Sequence, residues 1–263
     1  MLSKVDLSLT LERDEYKEQL LECQLRLREL ALELYRQQRS LIVVAEGWDA
    51  AGKGGALRRV TENMDPRGFQ VYSIAAPEGE DRTHHYLWRF WRRLKAPQEK
   101  QILIFDRSWY GRVLVERVEG FASEAEWKRA YREITDFERA LTDHDMVLVK
   151  LWFQIGKEEQ LRRFEAREQT PHKSWKLTDE DWRNRDRWDE YEEAVNDMLL
   201  KTSTLTAPWT VVEGNDKLWA RIKTQRSLIA ALEEGLEPAA EGAELEGGEE
   251  QRQKEGRLKT DRP

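Results

Sequence analysis

The stretch Leu41–Arg59, reading LIVVAEGWDAAGKGGALRR, restricts the possible folds of this chain more than any other. Leu41-Ile42-Val43-Val44 is an unbroken apolar, mostly β-branched run, the pattern of a strand buried on both faces. It passes directly into Gly47-Trp48-Asp49-Ala50-Ala51-Gly52-Lys53-Gly54-Gly55 and then into the helix-forming Ala56-Leu57-Arg58-Arg59-Val60. Strand, glycine loop and helix together make an anion cradle. Gly47 and Gly52 let successive N–H groups converge, the helix N-terminus adds partial positive charge, and Lys53 adds a full one. The pattern fits G-x-x-x-x-G-K-[ST] except at its last position, where Gly54 replaces the hydroxyl residue that holds magnesium. A metal at this loop therefore needs another side chain. The plainer alternative, a tight turn with a solvated lysine, requires the coincidence of motif, preceding strand and following helix.

A second apolar strand with an acidic end supplies that side chain. Gln101–Phe105 runs into Asp106-Arg107-Ser108-Trp109-Tyr110-Gly111-Arg112. An aspartate there reaches a metal beside phosphates in enzymes with such loops, although an isolated strand-end aspartate is more often a helix cap. With Arg107 and Arg112 beside it, Asp106 is the candidate ligand.

Further strands are expected at Gln70–Ala75, Met146–Phe153 and Pro208–Glu213, and helices at 11–38, 80–94, 124–141, 156–167 and 216–234. Strands alternating with helices make an α/β fold with a parallel sheet of about five strands flanked by helices. Residues 1–39 form an amphipathic helix that packs on the core or on a partner subunit, and 40–235 form one domain. Residues 236–263 read as a disordered tail, because Leu245 and Leu258 are their only large apolar side chains after Leu236. The segment 162–190 is dense in cations, among them Arg163, Lys173 and Lys176, and is broken at Pro171. It reads as a helical lid closing over phosphates, against the plainer reading of a charged hairpin whose Asp179, Glu180, Asp181, Asp186 and Asp189 answer its own arginines. His84-His85 would point apart on the 80–94 helix and lack a third ligand at suitable spacing. Of eleven tryptophans, most read as packing, and Trp48, inside the loop, is the one to test as a ligand contact.

A net charge of −7 argues against a general nucleic-acid or membrane-surface binder, so any anionic ligand must be held by local positive charge. One cysteine, Cys23, excludes an intrachain disulfide. No signal-peptide or membrane-spanning run is visible, and a cytoplasmic setting is expected.

Taken with GWDAAGKGGALRR and FDRSWYGRVLVERVEGF, the later WKLTDEDWRNRDRWDEY makes the chain closely resemble the polyphosphate kinase 2 family from about Leu41 to Ile229. The resemblance implies a P-loop kinase fold with a helical lid and Mg2+-dependent phosphoryl transfer between inorganic polyphosphate and a nucleotide. Glycine at 54 is usual in that family. Trp48, APEGEDRTHHYLWRFWRRL and GRVLVERVEGF resemble the members that convert AMP to ADP, the alternative being ADP or GDP as acceptor. Carried over residue by residue, the catalytic set is Asp49, Lys53, Asp106 and Arg107, with Asp49 and Asp106 at the metal. Gly47, Gly52, Gly54, Gly55, Arg58, Arg112, Arg163, Lys173 and Lys176 are the expected phosphate contacts, and a homo-oligomer is the expected assembly. A thymidylate-kinase-like enzyme using ATP remains a competitor, though it normally carries Ser or Thr at 54. A decayed, non-catalytic P-loop scaffold is a second, against which the joint presence of Asp49, Lys53, Asp106 and Arg107 speaks. A GTPase switch ranks below both, since the chain has no Asn-Lys-x-Asp motif.

Overall fold

The computed structural model describes residues 1–96, 99, 101–171 and 177–236. The chain starts with helix α1 (Arg13–Arg36), which buries Tyr16, Cys23, Leu27, Leu30 and Leu34. Strand β1 (Leu41–Gly47), the glycine loop and α2 (Lys53–Thr61) follow, then β2 (Phe69–Ser73). A short α3 (Trp88–Trp91), β3 (Ile102–Asp106), a one-turn α4 (Val115–Val118) and α5 (Glu124–Thr142) come next. The rest is β4 (Val147–Gln154), α6 (Lys157–Glu168), α7 (Asp179–Asp186), α8 (Trp188–Thr202), β5 (Trp209–Glu213) and α9 (Lys217–Gly235).

The five strands form one parallel sheet in the order β2-β3-β1-β4-β5, with Val43 registered against Ile104 on one side and Val149 on the other. The apolar runs explain this order. In β1 and β4 every residue but Gly47 is buried, because those strands are covered on both faces, whereas β2 lies at the edge and leaves Val71 exposed. The connection from β1 to β2 steps over β3, and that from β3 to β4 steps over β1. Their carboxyl ends therefore border a crevice, where open α/β sheets bind ligands.

Capping follows local chemistry. Ser123 and Glu126 form the capping box that starts α5, Thr178 and Asp181 form another at α7, and Asp216 accepts from the Trp219 amide at 2.6 Å to start α9.

The 80–94 helix does not form. A 3-10 turn at Gly79–Arg82 and the four-residue α3 replace it. Phe90 is 1% exposed and meets Phe105 and Trp109 edge-on, and buried Arg89 donates to the Ala75 carbonyl at 2.9 Å. Docking these side chains on β3 bends the segment away from a continuous helix, so tertiary packing overrides the local helical pattern. His84 and His85 consequently lie in a turn. His84 stacks on Trp88 and His85 approaches Glu133 at 3.4 Å.

One ion pair lies wholly inside the core. Lys150 on β4 is 0% exposed, and its Nζ donates to Glu138 Oε2 at 2.7 Å, to the Thr202 carbonyl at 2.7 Å and to Tyr110 Oη at 3.1 Å. The other carboxylate oxygen accepts from Tyr110 Oη at 2.7 Å and Trp109 Nε1 at 3.0 Å. Burial raises the Glu138 pKa against the opposing pull of Lys150, and burial lowers that of Lys150 against the opposing pull of Glu138. The pair anchors the turn after β3 to α5 and α8.

Candidate active site

The loop after β1 is shaped by close approach. A Cβ on Gly47 would lie 2.6 Å from the Phe153 carbonyl oxygen of β4, so no other residue fits without moving the sheet. Gly52, at φ +105°, caps α2 in a left-handed conformation that costs glycine little. The first side chain of α2 is Lys53, whose Nζ donates to the carbonyls of Gly47 at 2.6 Å and Trp48 at 3.1 Å, drawn over its own loop. Burial lowers its pKa, while Asp49, Asp106 and Glu46 act to raise it. The lysine charge thus sits among three carboxylates.

The strand-end pair is brought to the same place by sheet register. Asp106 faces Ala45 of β1 and Ser73 of β2. Arg107 takes φ +64°, which turns its guanidinium back across the crevice, where Nη2 meets Asp49 Oδ1 at 3.1 Å. Burial opposes the Arg107 charge, but Asp49, Glu46, Glu180 and Asp106 outweigh it and raise its pKa. The other oxygen of Asp49 accepts from Asn184 Nδ2 of α7 at 3.1 Å, and Asn184 Oδ1 accepts from Tyr191 Oη of α8 at 2.9 Å. Asp49, Lys53, Asp106 and Arg107, distant in sequence, thus form one electrostatic cluster.

The other candidate residues are placed less uniformly. Gly54 has open space around its Cα, and a Cβ on Gly55 would sit 3.9 Å from Arg221. Arg58 is exposed on α2 and lies 3.8 Å from Glu62. Arg112 pairs with Glu116 at 3.1 Å and covers the Tyr86 ring at 4.6 Å. Lys173, Lys176 and the tail 237–263 lie outside the described residues.

One expectation is corrected. Arg163, expected as a lid cation facing phosphate, is 5% exposed and lies behind the loop. Its guanidinium donates to the carbonyls of Ala50 at 2.9 Å, Gly214 at 2.6 Å and Asn215 at 2.9 Å, and it pairs with Glu159 at 2.5 Å. A planar fork satisfies several loop carbonyls at once, so this arginine braces the loop from inside. Trp48 is buried rather than presented to a ligand. It stacks on Trp188 with centroids 3.7 Å apart and planes 2° apart, and its indole N–H donates to Gln154 at 2.9 Å.

Within its own segment Arg187 pairs with Glu190 at 2.6 Å. Arg183 and Arg187 both reach Glu119, at 2.9 Å and 3.3 Å, and Arg185 donates to the Lys157 carbonyl at 2.6 Å.

Sequence reasoning missed Glu46, Ser108, Gln160 and Asn184. Glu46 is 6% exposed, accepts from Ser108 Oγ at 2.7 Å and has its pKa raised by burial, so it ties the β1 and β3 ends together. An acidic residue closing an otherwise apolar strand is a signal that could have found it. Gln160 donates to the Asp49 carbonyl at 3.1 Å. Asn184 lies in a charged helix with no spacing signal.

Among the described residues no group of three or more His, Cys, Asp or Glu side chains is arranged to enclose a metal. Asp49 and Asp106 offer hard oxygens from the loop after β1 and the end of β3. That donor set fits Mg2+, which takes one or two carboxylates and completes its shell with water and phosphate oxygens. No helix among the described residues is long and apolar enough to cross a membrane.

A family model described as polyphosphate kinase 2 matches residues 10–239. A Pseudomonas aeruginosa protein named polyphosphate:AMP phosphotransferase is 54% identical over 89% of this chain and 47% of its own length. Another from the same organism, named GDP-polyphosphate phosphotransferase, is 36% identical over 85% of this chain and 62% of its own. The chain spans about half the length of the first of these relatives. The crystal structure of polyphosphate kinase 2 from Arthrobacter aurescens superimposes with a TM-score of 0.85 at 37% identity, covering 92% of this chain and 88% of that one.

Proposed function

The chain belongs to the polyphosphate kinase 2 family, and on that premise we propose that it transfers a phosphoryl group from inorganic polyphosphate to AMP, giving ADP. The observation that carries this reading is the convergence of Lys53, Asp49 and the Asp106–Arg107 pair at the mouth of a phosphate-binding loop that lacks a hydroxyl at Gly54. The acceptor follows the relative at 54% identity, whose name specifies AMP. The protein acts in the cytoplasm as a homo-oligomer and needs neither nucleic acid nor a membrane surface.

In the proposed reaction an acceptor phosphate oxygen bonds to a phosphorus of the polyphosphate, and the P–O bond to the rest of the polymer breaks, leaving it one phosphate shorter. The nucleophile is already anionic, so the protein supplies position and charge rather than covalent chemistry. Lys53 and the loop amides hold donor oxygens, and Arg107 screens charge on the group in transit. Asn184 and Arg107 hold the two oxygens of Asp49 in place. Asp49 and Asp106 would hold Mg2+, which when bound neutralises charge on the transferring phosphates.

Asp106→Asn is expected to lower turnover about 100-fold or more, the scale of losing one charge-stabilising group. It should also raise the Mg2+ concentration needed for half-maximal rate. A variant that keeps both rate and metal dependence puts the ligand elsewhere.

Donor choice separates this reading from an ATP-using kinase of similar fold. With polyphosphate as sole donor, AMP becomes ADP, and added salt raises KM for polyphosphate more than for AMP, because attraction to a polyanion is screened. Faster turnover of GDP or ADP than AMP under the same conditions transfers the reading to the diphosphate class of the more distant relative. Phosphorylation of AMP or dTMP by polyphosphate-free ATP, with none from polyphosphate, refutes both.

A further inference from the structure

Asp49 stands between two parts of the molecule that are held in different ways. On one side is an aromatic frame. Trp48, its neighbour in the loop, stacks on Trp188, the first residue of α8, and the Tyr191 ring lies 6.2 Å from that of Trp48. The indole N–H groups of Trp48 and Trp152 both donate to Gln154 Oε1, at 2.9 Å and 2.8 Å. Ala194, Val195, Met198 and Leu199 sink the rest of α8 into the core. The loop and the start of α8 therefore keep one relative position.

Helix α7 is the other side. Asp181 is its one buried residue. Arg183 ties it to Glu119, Arg185 to the Lys157 carbonyl and Asn184 to Asp49, and Trp182 meets Phe164 edge-on at 5.1 Å. The helical run breaks at Arg187, between α7 and α8. An element with little buried apolar surface and several polar ties opens at low free energy. Asn184 thus rides on a detachable helix, while Asp49 and Tyr191 stay with the frame.

The chemistry of the amide gives Asn184 its role. An ionised carboxylate accepts and never donates, so Nδ2 must turn toward Asp49 Oδ2, at 3.1 Å, and Oδ1 is left for the Tyr191 hydroxyl, at 2.9 Å. Tyr191 therefore fixes the sense of the amide. A neutral donor orients Asp49 without cancelling its charge, whereas an arginine at 184 would compete with a cation for the same carboxylate. The arginines on either side, Arg183 and Arg185, are turned to other acceptors. Arg107 already occupies Asp49 Oδ1, so Oδ2, held by Asn184, keeps a lone pair for a metal. Hydrogen bonds that orient a ligating carboxylate from behind are worth about 10–100-fold in metal affinity.

We propose that Asn184, oriented by Tyr191, is a positioning residue carried on α7 for a divalent-cation site at Asp49, so that this site reaches full affinity only with α7 docked against the Trp48–Trp188 frame. The proposal rests on the reading of Asp49 as a Mg2+ residue. By linkage, a cation at Asp49 favours docked α7 as much as docked α7 favours the cation.

The test uses the full chain and Mn2+ alone, with the free ion read by electron paramagnetic resonance, so that neither donor nor acceptor enters it. Asn184→Ala is expected to raise the Mn2+ dissociation constant about tenfold or more, with an unchanged melting temperature. Tyr191→Phe, which removes one hydroxyl, should raise it about threefold. The double variant should bind no more weakly than Asn184→Ala, because Tyr191 acts only through the amide. Mg2+ alone should slow amide exchange across Asp179–Asp186 in the wild type and not in Asn184→Ala. If Asp49→Asn weakens Mn2+ binding and Asn184→Ala does not, the proposal falls and the metal reading of Asp49 stands. Mn2+ binding that Asp49→Asn leaves unchanged removes both. An additive loss in the double variant overturns the part given to Tyr191, and exchange indifferent to Mg2+ overturns the link to docking.

Discussion

Lys53→Ala is expected to remove phosphoryl transfer, lowering kcat/KM about 1000-fold or more, while the protein melts close to the wild-type temperature. The asymmetry follows from where Nζ spends its bonds. It gives up two hydrogen bonds, to the carbonyls of Gly47 and Trp48, which together stabilise the fold by about 1–2 kcal/mol, and the loop remains braced from behind by Arg163. What the reaction loses is the cation standing among Asp49, Asp106 and Glu46. Without it a polyphosphate meets three carboxylates whose neighbouring cation is Arg107. Because burial holds the Lys53 pKa below that of a free lysine, the wild-type rate should fall as pH rises at values lower than ordinary lysine titration, and that limb should vanish in the variant. A folded Lys53→Ala protein with unchanged turnover removes the loop from the chemistry.

Lys150→Met has the opposite profile, a large loss of stability through a residue outside the crevice. It strands the Glu138 carboxylate in the core with only Trp109 and Tyr110 to answer it. Breaking a buried pair from one side costs about 3–5 kcal/mol, because an uncompensated charge remains. Replacing both partners should be much milder. Glu138→Gln/Lys150→Met keeps an amide oxygen to accept from Trp109 and Tyr110 and removes both charges, so most of the loss should be recovered. Urea unfolding midpoints of the two variants decide the matter. A single variant within about 1 kcal/mol of wild type shows that Lys150 is not the counter-charge assigned to it.

The parts of the molecule legible in sequence are those with short, rigid grammar. The β1 run, the glycine loop and the strand ending in Asp106 each report their own conformation, because burial on both faces, a forced left-handed turn and a strand-end carboxylate leave local marks. The sheet needed only the alternation of strand and helix. What escaped depends on which distant backbone a flexible side chain finds. Arg163 has the composition of a phosphate ligand, and only the fold reveals three carbonyls within its reach. Asn184 is one polar residue among many in α7, and its importance comes from the approach of that helix to Asp49. The 80–94 segment failed for a related reason. Its helical charge pattern was read without the aromatic surface of β3, which captures Phe90.

The strand order also dictates how this chain can mature on the ribosome. β1 pairs only with strands made later, β3 from Ile102 and β4 from Val147, and with none before it. Until β4 has emerged, one edge of its most apolar strand has no hydrogen-bonding partner, and such an edge is a template for aggregation. The nascent chain therefore cannot cover this edge until β4, about 100 residues after β1, has been synthesised. Because the glycine loop needs Phe153 beside Gly47, the phosphate cradle is translated about 100 residues before the strand that shapes it.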